Sequence, residues 1–200
     1  GQTDRMLFPK KPGSFYHASK VADSTNLEFG CRSWGLRVTD LNQGVVWGME
    51  TAATPWNDPE RRTMFHYDEI FGTVINRFIS QAACGFPPTI YGSGLQTRGF
   101  IHLEDSLRCI ELAIAYPAEE GEFRVFNQLS ELMSVGQIAR MVSAIADVPV
   151  TRVPNPRVED SRHLYDVAHS GLLDLGYTDP HLFTLDGRRA LRTLLRANKR

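Results

Sequence analysis

Tyr16 and Lys20 stand four residues apart in the stretch Ser14-Phe15-Tyr16-His17-Ala18-Ser19-Lys20. On a helix that spacing is slightly more than one turn, so both side chains project from one face. A phenol titrates near pH 10, too high for a base at neutrality. A neighbouring ammonium favours the phenolate and lowers that value. The pair is therefore a candidate proton acceptor for a substrate hydroxyl, with the lysine as its electrostatic partner. Spacing alone does not decide it. A chance Tyr-x-x-x-Lys is expected in roughly one chain in eight of this composition, and two polar side chains on a solvated helix face satisfy it equally well.

Two arginines are candidates for anion recognition, because a planar guanidinium matches phosphate oxygens two at a time. Arg98 follows the turn Gly92-Ser93-Gly94, and Arg157 lies between Pro156 and the acidic pair Glu159-Asp160. Each is also readable as a surface arginine. The Gly92-Ser93-Gly94 turn is too short for a dinucleotide loop and needs no ligand. His17, His66, His102, His163, His169 and His181 show no metal spacing, so no metal site is expected and they read as polar surface or satisfied interior groups. Trp47 and Tyr91 read as packing rings, either of which could stack on a base.

The elements that must position these residues follow from punctuation and periodicity. Pro12-Gly13 and Ser14 open a helix to about Ser33, with Ala18, Val21, Ala22 and Phe29 as its buried stripe and Gly35 as its end. Leu36 to Leu41 alternates like a strand, with Asn42-Gln43-Gly44 as an exit loop. Residues 52–69 form a long surface loop. Helices are expected from Phe71 to Cys84, from Asp105, from Ser134 with Gln137 as its capping box, over Ser170 to Leu175, and over Leu182 to Ala197. Strands are expected at Pro87 to Tyr91, Phe100 to Leu103, Phe123 to Phe126 and Val150 to Val153. The alternation predicts an α/β fold with parallel pairing.

Composition narrows the function. The 200 residues are 42% hydrophobic and 22% charged, an ordinary globular balance, with a formal net charge of -1 that recruits neither nucleic acid nor anionic lipid. No apolar run approaches a membrane span. The polar start at Gly1 gives no sign of a secretory leader. Cys31, Cys84 and Cys109 are odd in number and widely spaced, which favours a reducing compartment.

The order of motifs resembles the second half of an extended short-chain dehydrogenase/reductase acting on nucleotide sugars, in the NAD-dependent epimerase/dehydratase family. The strings SFYHASKVADS, TDLNQGVVWG, YGSGLQTRGFIHLEDSLRCIELAIAYPA, GEFRVFNQ and VPNPRVE carry the resemblance over nearly the whole chain. Within the family they are similar to the branch that makes the sulfolipid head group. The fold this implies is the carboxy-terminal part of a Rossmann-like doubly wound parallel sheet plus a smaller α/β substrate-binding lobe. The nucleotide-binding remnant would occupy about 1–50 and 100–130, and the lobe about 51–99 and 131–200.

The resemblance also implies roles. Tyr16 and Lys20 would be the active-site pair and would touch NAD, Lys20 holding the nicotinamide ribose, with Val46 against the cofactor. Asn42, Gln43, Thr73, Gln96, Thr97 and Arg98 would bind the nucleotide sugar, and Arg157 would clamp its pyrophosphate. The implied substrates are UDP-glucose and sulfite, in a homodimer located in cytoplasm or plastid stroma. A 4-epimerase, a 4,6-dehydratase or a non-catalytic sugar-nucleotide-binding fragment are the alternatives. The family's Gly-x-x-Gly-x-x-Gly loop, and the hydroxyl and carboxylate that precede its tyrosine, have no counterpart in these 200 residues, and Trp47 stands where a tyrosine is usual. The isolated chain is therefore expected to be inactive, with NAD bound only by the full-length parent.

Overall fold

A computed structural model describes residues 12, 14–55, 58–61, 63–68, 71–156, 167–178 and 180–197. The chain divides into two units, one of residues 1–42 and 113–126, the other of residues 43–112 and 127–200.

The first unit is built on helix α1, Phe15–Trp34. Ser14 is extended (φ -157°) and its hydroxyl accepts the His17 N–H at 3.1 Å, which satisfies one donor left over by the first turn. Gly35 ends the helix at φ 69°, its N–H returning to Cys31 O. The expected apolar stripe is not what α1 buries: Ala22 and Phe29 are exposed, Ala18 and Val21 half-buried, while Ser24, Gly30 and Cys31 are buried. Small residues serve here because the chain returns closely. A Cβ on Gly30 would lie 2.8 Å from Leu36 Cδ1, and the Cys31 thiol donates to Glu122 O at 3.4 Å. Strand β1, Val38–Gln43, pairs with β5, Phe123–Gln128. Its alternation is visible in its bonds: Thr39 accepts from Arg124 at 3.0 Å, and Asp40, on the other face, bonds α1 through Ser24 at 2.6 Å.

The second unit holds a three-stranded sheet in the order β2 (Val45–Trp47), β4 (Thr97–His102), β6 (Glu131–Ser134). β2 and β4 are parallel with Val45 opposite Phe100, and β4 and β6 are antiparallel with Thr97 opposite Ser134. A second parallel pair joins β3, Thr89–Tyr91, to β7, Thr151–Val153. Helices α2 (Val74–Ala83), α4 (Val135–Ala146), α5 (Ser170–Asp174) and α6 (Phe183–Ala197) belong to this unit, and α3 (Leu103–Ala115) runs from it into residues of the first. Its core packs Trp47, Ile75, Phe78, Phe100, Ile138 and Phe183, each at most 1% exposed. No helix among the described residues is long and apolar enough to cross a membrane.

The fold is α/β with parallel pairing, as the alternation predicts. Three local expectations are corrected. Asn42 and Gln43 belong to β1 rather than to an exit loop, and Gly44 alone breaks the strand. A Cβ there would sit 2.8 Å from Gly99 O, and the Gly44 N–H donates to Gln128 O at 2.8 Å. Helix α2 starts at Val74, since Thr73 is still extended at φ -92°. Strands β2 and β6 were not expected. At three and four residues they are too short to show alternation.

Candidate functional site

Tyr16 and Lys20 lie in the first two turns of α1, which Ser14 starts at a fixed residue. The phenol is exposed, and the Lys20 ammonium is 5.9 Å from the centre of its ring. Lys20 Nζ pairs with Asp23 Oδ2 at 3.0 Å, and both side chains are more than half exposed. That hydrogen bond, and then the Asp23 charge, raise the Lys20 pKa above its ordinary value, so the side chain stays a cation. An ammonium has three hydrogens and Asp23 engages one. Lys20 therefore keeps donors suited to ribose hydroxyls, which fits a nicotinamide nucleotide held at this helix face. Asn42 ends the first unit on β1.

The second unit contains a cleft of about 260 Å³ lined by Asp68, Thr73, Arg77, Tyr91, Gln96 and Arg98. Local sequence explains the lining. Gln96 and Arg98 share one side of the chain entering β4, and Thr97 points to the other, which is why Thr97 does not line the cleft. The Gln96 carbonyl accepts from Val135 at the start of α4, and Gly94, whose φ of 71° suits glycine, accepts from Gly136 at 2.8 Å. These bonds hold the Gly92–Gly94 turn against α4. Thr73 precedes α2 and makes no cap bond with its side chain. Its hydroxyl is buried without a hydrogen-bond partner among the described residues.

Arg77, one turn further along α2, was missed by sequence reasoning. Its guanidinium lies 4.4 Å from the Tyr91 ring centre, and one terminal nitrogen donates to Thr89 O at 3.1 Å. Its Nε is buried and unbonded among the described residues. A buried polar hydrogen without a partner is costly, and an anionic ligand in the cleft supplies acceptors for it. The signal was present in Val74-Ile75-Asn76-Arg77-Phe78-Ile79, where an arginine interrupts an apolar helix that caps a Gly-Thr turn.

The expected site residues thus fall into groups. Thr73, Gln96 and Arg98 come together in the cleft. Gln43 is exposed, with its amide donating to Ser106 Oγ at 2.6 Å, and Val46 sits on β2 beside Val45, which does line the cleft. Neither Gln43 nor Val46 lines it. Trp47 is a packing residue, 1% exposed against His102 and Phe183, whereas Tyr91 faces the cleft. Arg157, Glu159 and Asp160 lie outside the described residues.

Residues 3–127 match the NAD dependent epimerase/dehydratase family. The chain is 49% identical over 189 residues to the chloroplastic UDP-sulfoquinovose synthase of Spinacia oleracea, an alignment covering 92% of this chain and 39% of that protein. It is 41% identical over 182 residues to the UDP-sulfoquinovose synthase of Sulfolobus acidocaldarius, covering 88% and 46%. The chain thus spans less than half the length of these relatives. Among solved structures, the UDP-glucose 4-epimerase of Thermotoga maritima superposes with a TM-score of 0.72 at 20% identity, covering 98% of this chain and 60% of that one. The dTDP-glucose 4,6-dehydratase of Streptomyces venezuelae, with NAD bound, gives 0.71 at 21% identity, covering 100% and 57%. With the family model matched over residues 3–127 and relatives of 49% and 41% identity along nearly all its length, the chain belongs to the NAD-dependent epimerase/dehydratase family.

Proposed function

We propose that this chain is the carboxy-terminal portion of an NAD-dependent enzyme that converts UDP-glucose and sulfite to UDP-sulfoquinovose. The observation that carries the reading is the cleft of the second unit, where Thr73, Arg77 and Arg98 gather two guanidinium groups and an unpartnered hydroxyl around space for a ligand. That set suits a diphosphate, and the identity to two proteins named UDP-sulfoquinovose synthase supports uridine as the nucleoside and glucose as the sugar.

In this reading Arg77, Arg98 and Arg157 hold the pyrophosphate, and Gln96 and Thr73 orient the nucleotide sugar, with Asn42, Gln43 and Thr97 as further substrate contacts. The phenol oxygen of Tyr16 accepts the proton of the sugar C4 hydroxyl, with the Lys20 ammonium as its electrostatic partner. NAD would be held in part by Lys20, Tyr16 and Val46 and would supply hydride acceptance and return. Oxidation at C4 acidifies the neighbouring C5 hydrogen, water leaves across C5–C6, and sulfite adds at C6 before C4 is reduced again. The nucleotide-binding part would comprise about 1–50 and 100–130, and the substrate lobe the remainder.

Titration of UDP into the full-length protein tests the cleft. Wild type is expected to bind, and Arg77→Ala and Arg98→Ala to bind at least tenfold more weakly, as charge-assisted hydrogen bonds of about 1.5–3 kcal/mol require. Equal dissociation constants for all three would place the nucleotide elsewhere.

A further inference from the structure

We infer that Ser24 and Asp40 are a positioning pair for Tyr16 and Lys20, an inference that rests on reading those two as the working acid–base pair. Ser24 lies eight residues after Tyr16 and four after Lys20, so the three occupy one stripe of α1. Ser24 is the one buried member of that stripe. Its hydroxyl lies 2.6 Å from Asp40 Oδ2 and 3.3 Å from Lys20 O. One proton serves two acceptors, and the shorter bond to the carboxylate is the stronger, in the range of charge-assisted O–H···O contacts. The bond therefore ties α1 to β1 rather than merely decorating the helix backbone.

What it ties is the useful part. Asp40 and Asn42 are two residues apart on β1 and face the same way, toward α1. The opposite face, at Thr39, is occupied by Arg124. The bond thus sets the Tyr16–Lys20–Ser24 stripe in one register against the strand face that carries Asn42. Nothing else in the stripe does this: Tyr16 is exposed, and Lys20 pairs within its own helix to Asp23. The remaining buried residues of α1, Gly30 and Cys31, anchor its far end, six and seven residues beyond Ser24. A polar, directional bond at the Lys20 turn fixes helix azimuth where apolar packing does not. Small displacements of an acid–base pair cost rate steeply.

The test is steady-state kinetics of the full-length protein with NAD, UDP-glucose and sulfite, on Ser24→Ala, Ser24→Cys, Asp40→Ala, the Ser24→Ala/Asp40→Ala double variant and Tyr16→Phe, each first shown folded by circular dichroism. Ser24→Cys keeps the volume and gives up the strong donor, so it reports even where the alanine variants do not fold. Each single change at Ser24 or Asp40 is expected to lower kcat on the order of tenfold and to leave the KM for UDP-glucose within about twofold. The double variant is expected to be no worse than either alanine single, since both remove one bond. A role in stability alone lowers the melting temperature and leaves kcat at wild type in Ser24→Cys, which overturns the inference while Tyr16→Phe is dead. Full activity in Tyr16→Phe overturns the underlying reading, and the inference with it.

Discussion

At the scale of single residues, the proposed diphosphate site leans on the pairing of Arg77 with Tyr91. A guanidinium stacked on a ring at 4.4 Å has few rotamers to lose when an anion arrives, so its contribution to affinity is large for its area. Arg77→Lys is expected to recover only part of the loss seen in Arg77→Ala, because an ammonium neither stacks in the same way nor engages two oxygens. UDP titrations of the two variants check this, and equal affinities would remove the stack from the account. Arg157 gives a parallel case: Arg157→Ala is expected to weaken UDP binding roughly tenfold to a hundredfold if it clamps the pyrophosphate. An arginine that merely pairs with Glu159 or Asp160 leaves affinity unchanged. Tyr16, Lys20 and Arg98 were singled out in the sequence because they lie in long specific strings, whereas Thr73 lies in none of them and was named only by the family resemblance. Arg77 was not, because an arginine within an apolar helix reads as a side chain snorkelling to solvent.

At the scale of elements, the contact of β2 and β4 with the segment just before α6 carries a pH dependence. The His102 ring packs between Trp47 at 4.5 Å and His181 at 4.7 Å, and its Nδ1 accepts the Glu104 N–H at 3.2 Å. Burial, and then His181, hold its pKa below the ordinary 6.5, against the opposing pull of Asp105, Glu104 and Asp186. The sign follows from proton counting. Between the depressed folded value and the unfolded one, the unfolded chain binds more protons, so stability is lost as pH falls below about 6.5. His181, whose Nδ1 lies 2.7 Å from Asp105 Oδ1, stays beside that carboxylate. Melting temperatures measured from pH 7.5 to 5 are expected to fall more steeply for wild type than for His102→Gln. Parallel curves would contradict the assignment. Capping is a second element-scale determinant. Ser134 and Gln137 exchange bonds of 3.2 and 2.7 Å at the start of α4, and Ser134→Ala is expected to cost about 1 kcal/mol by denaturant unfolding. Such caps are written in residue types, so α1 and α4 were legible nearly to the residue. Strands β2 and β6 were not, because their pairing is set by partners in β4 that lie 55 residues away for β2 and 31 to 37 residues away for β6, which no local pattern encodes.

At the scale of the whole molecule, the alternation of strands and helices was enough for the α/β class, and motif order was enough for the family. The division between residues 42 and 43 falls within the continuous strand β1. Cofactor binding belongs to this scale as well. A dinucleotide pyrophosphate is ordinarily held by a glycine-rich loop and the helix that follows it, and these 200 residues contain no Gly-x-x-Gly-x-x-Gly. Calorimetry on this chain alone is expected to show no micromolar binding of NAD. The most direct test of the central claim is the identity of the product. The full-length protein is incubated with UDP-glucose, sulfite and NAD, and the nucleotide sugars are resolved by mass spectrometry. The account predicts UDP-sulfoquinovose from wild type and none from Tyr16→Phe. UDP-galactose or a 4-keto-6-deoxy sugar as the sole wild-type product, or full turnover by Tyr16→Phe, would contradict it.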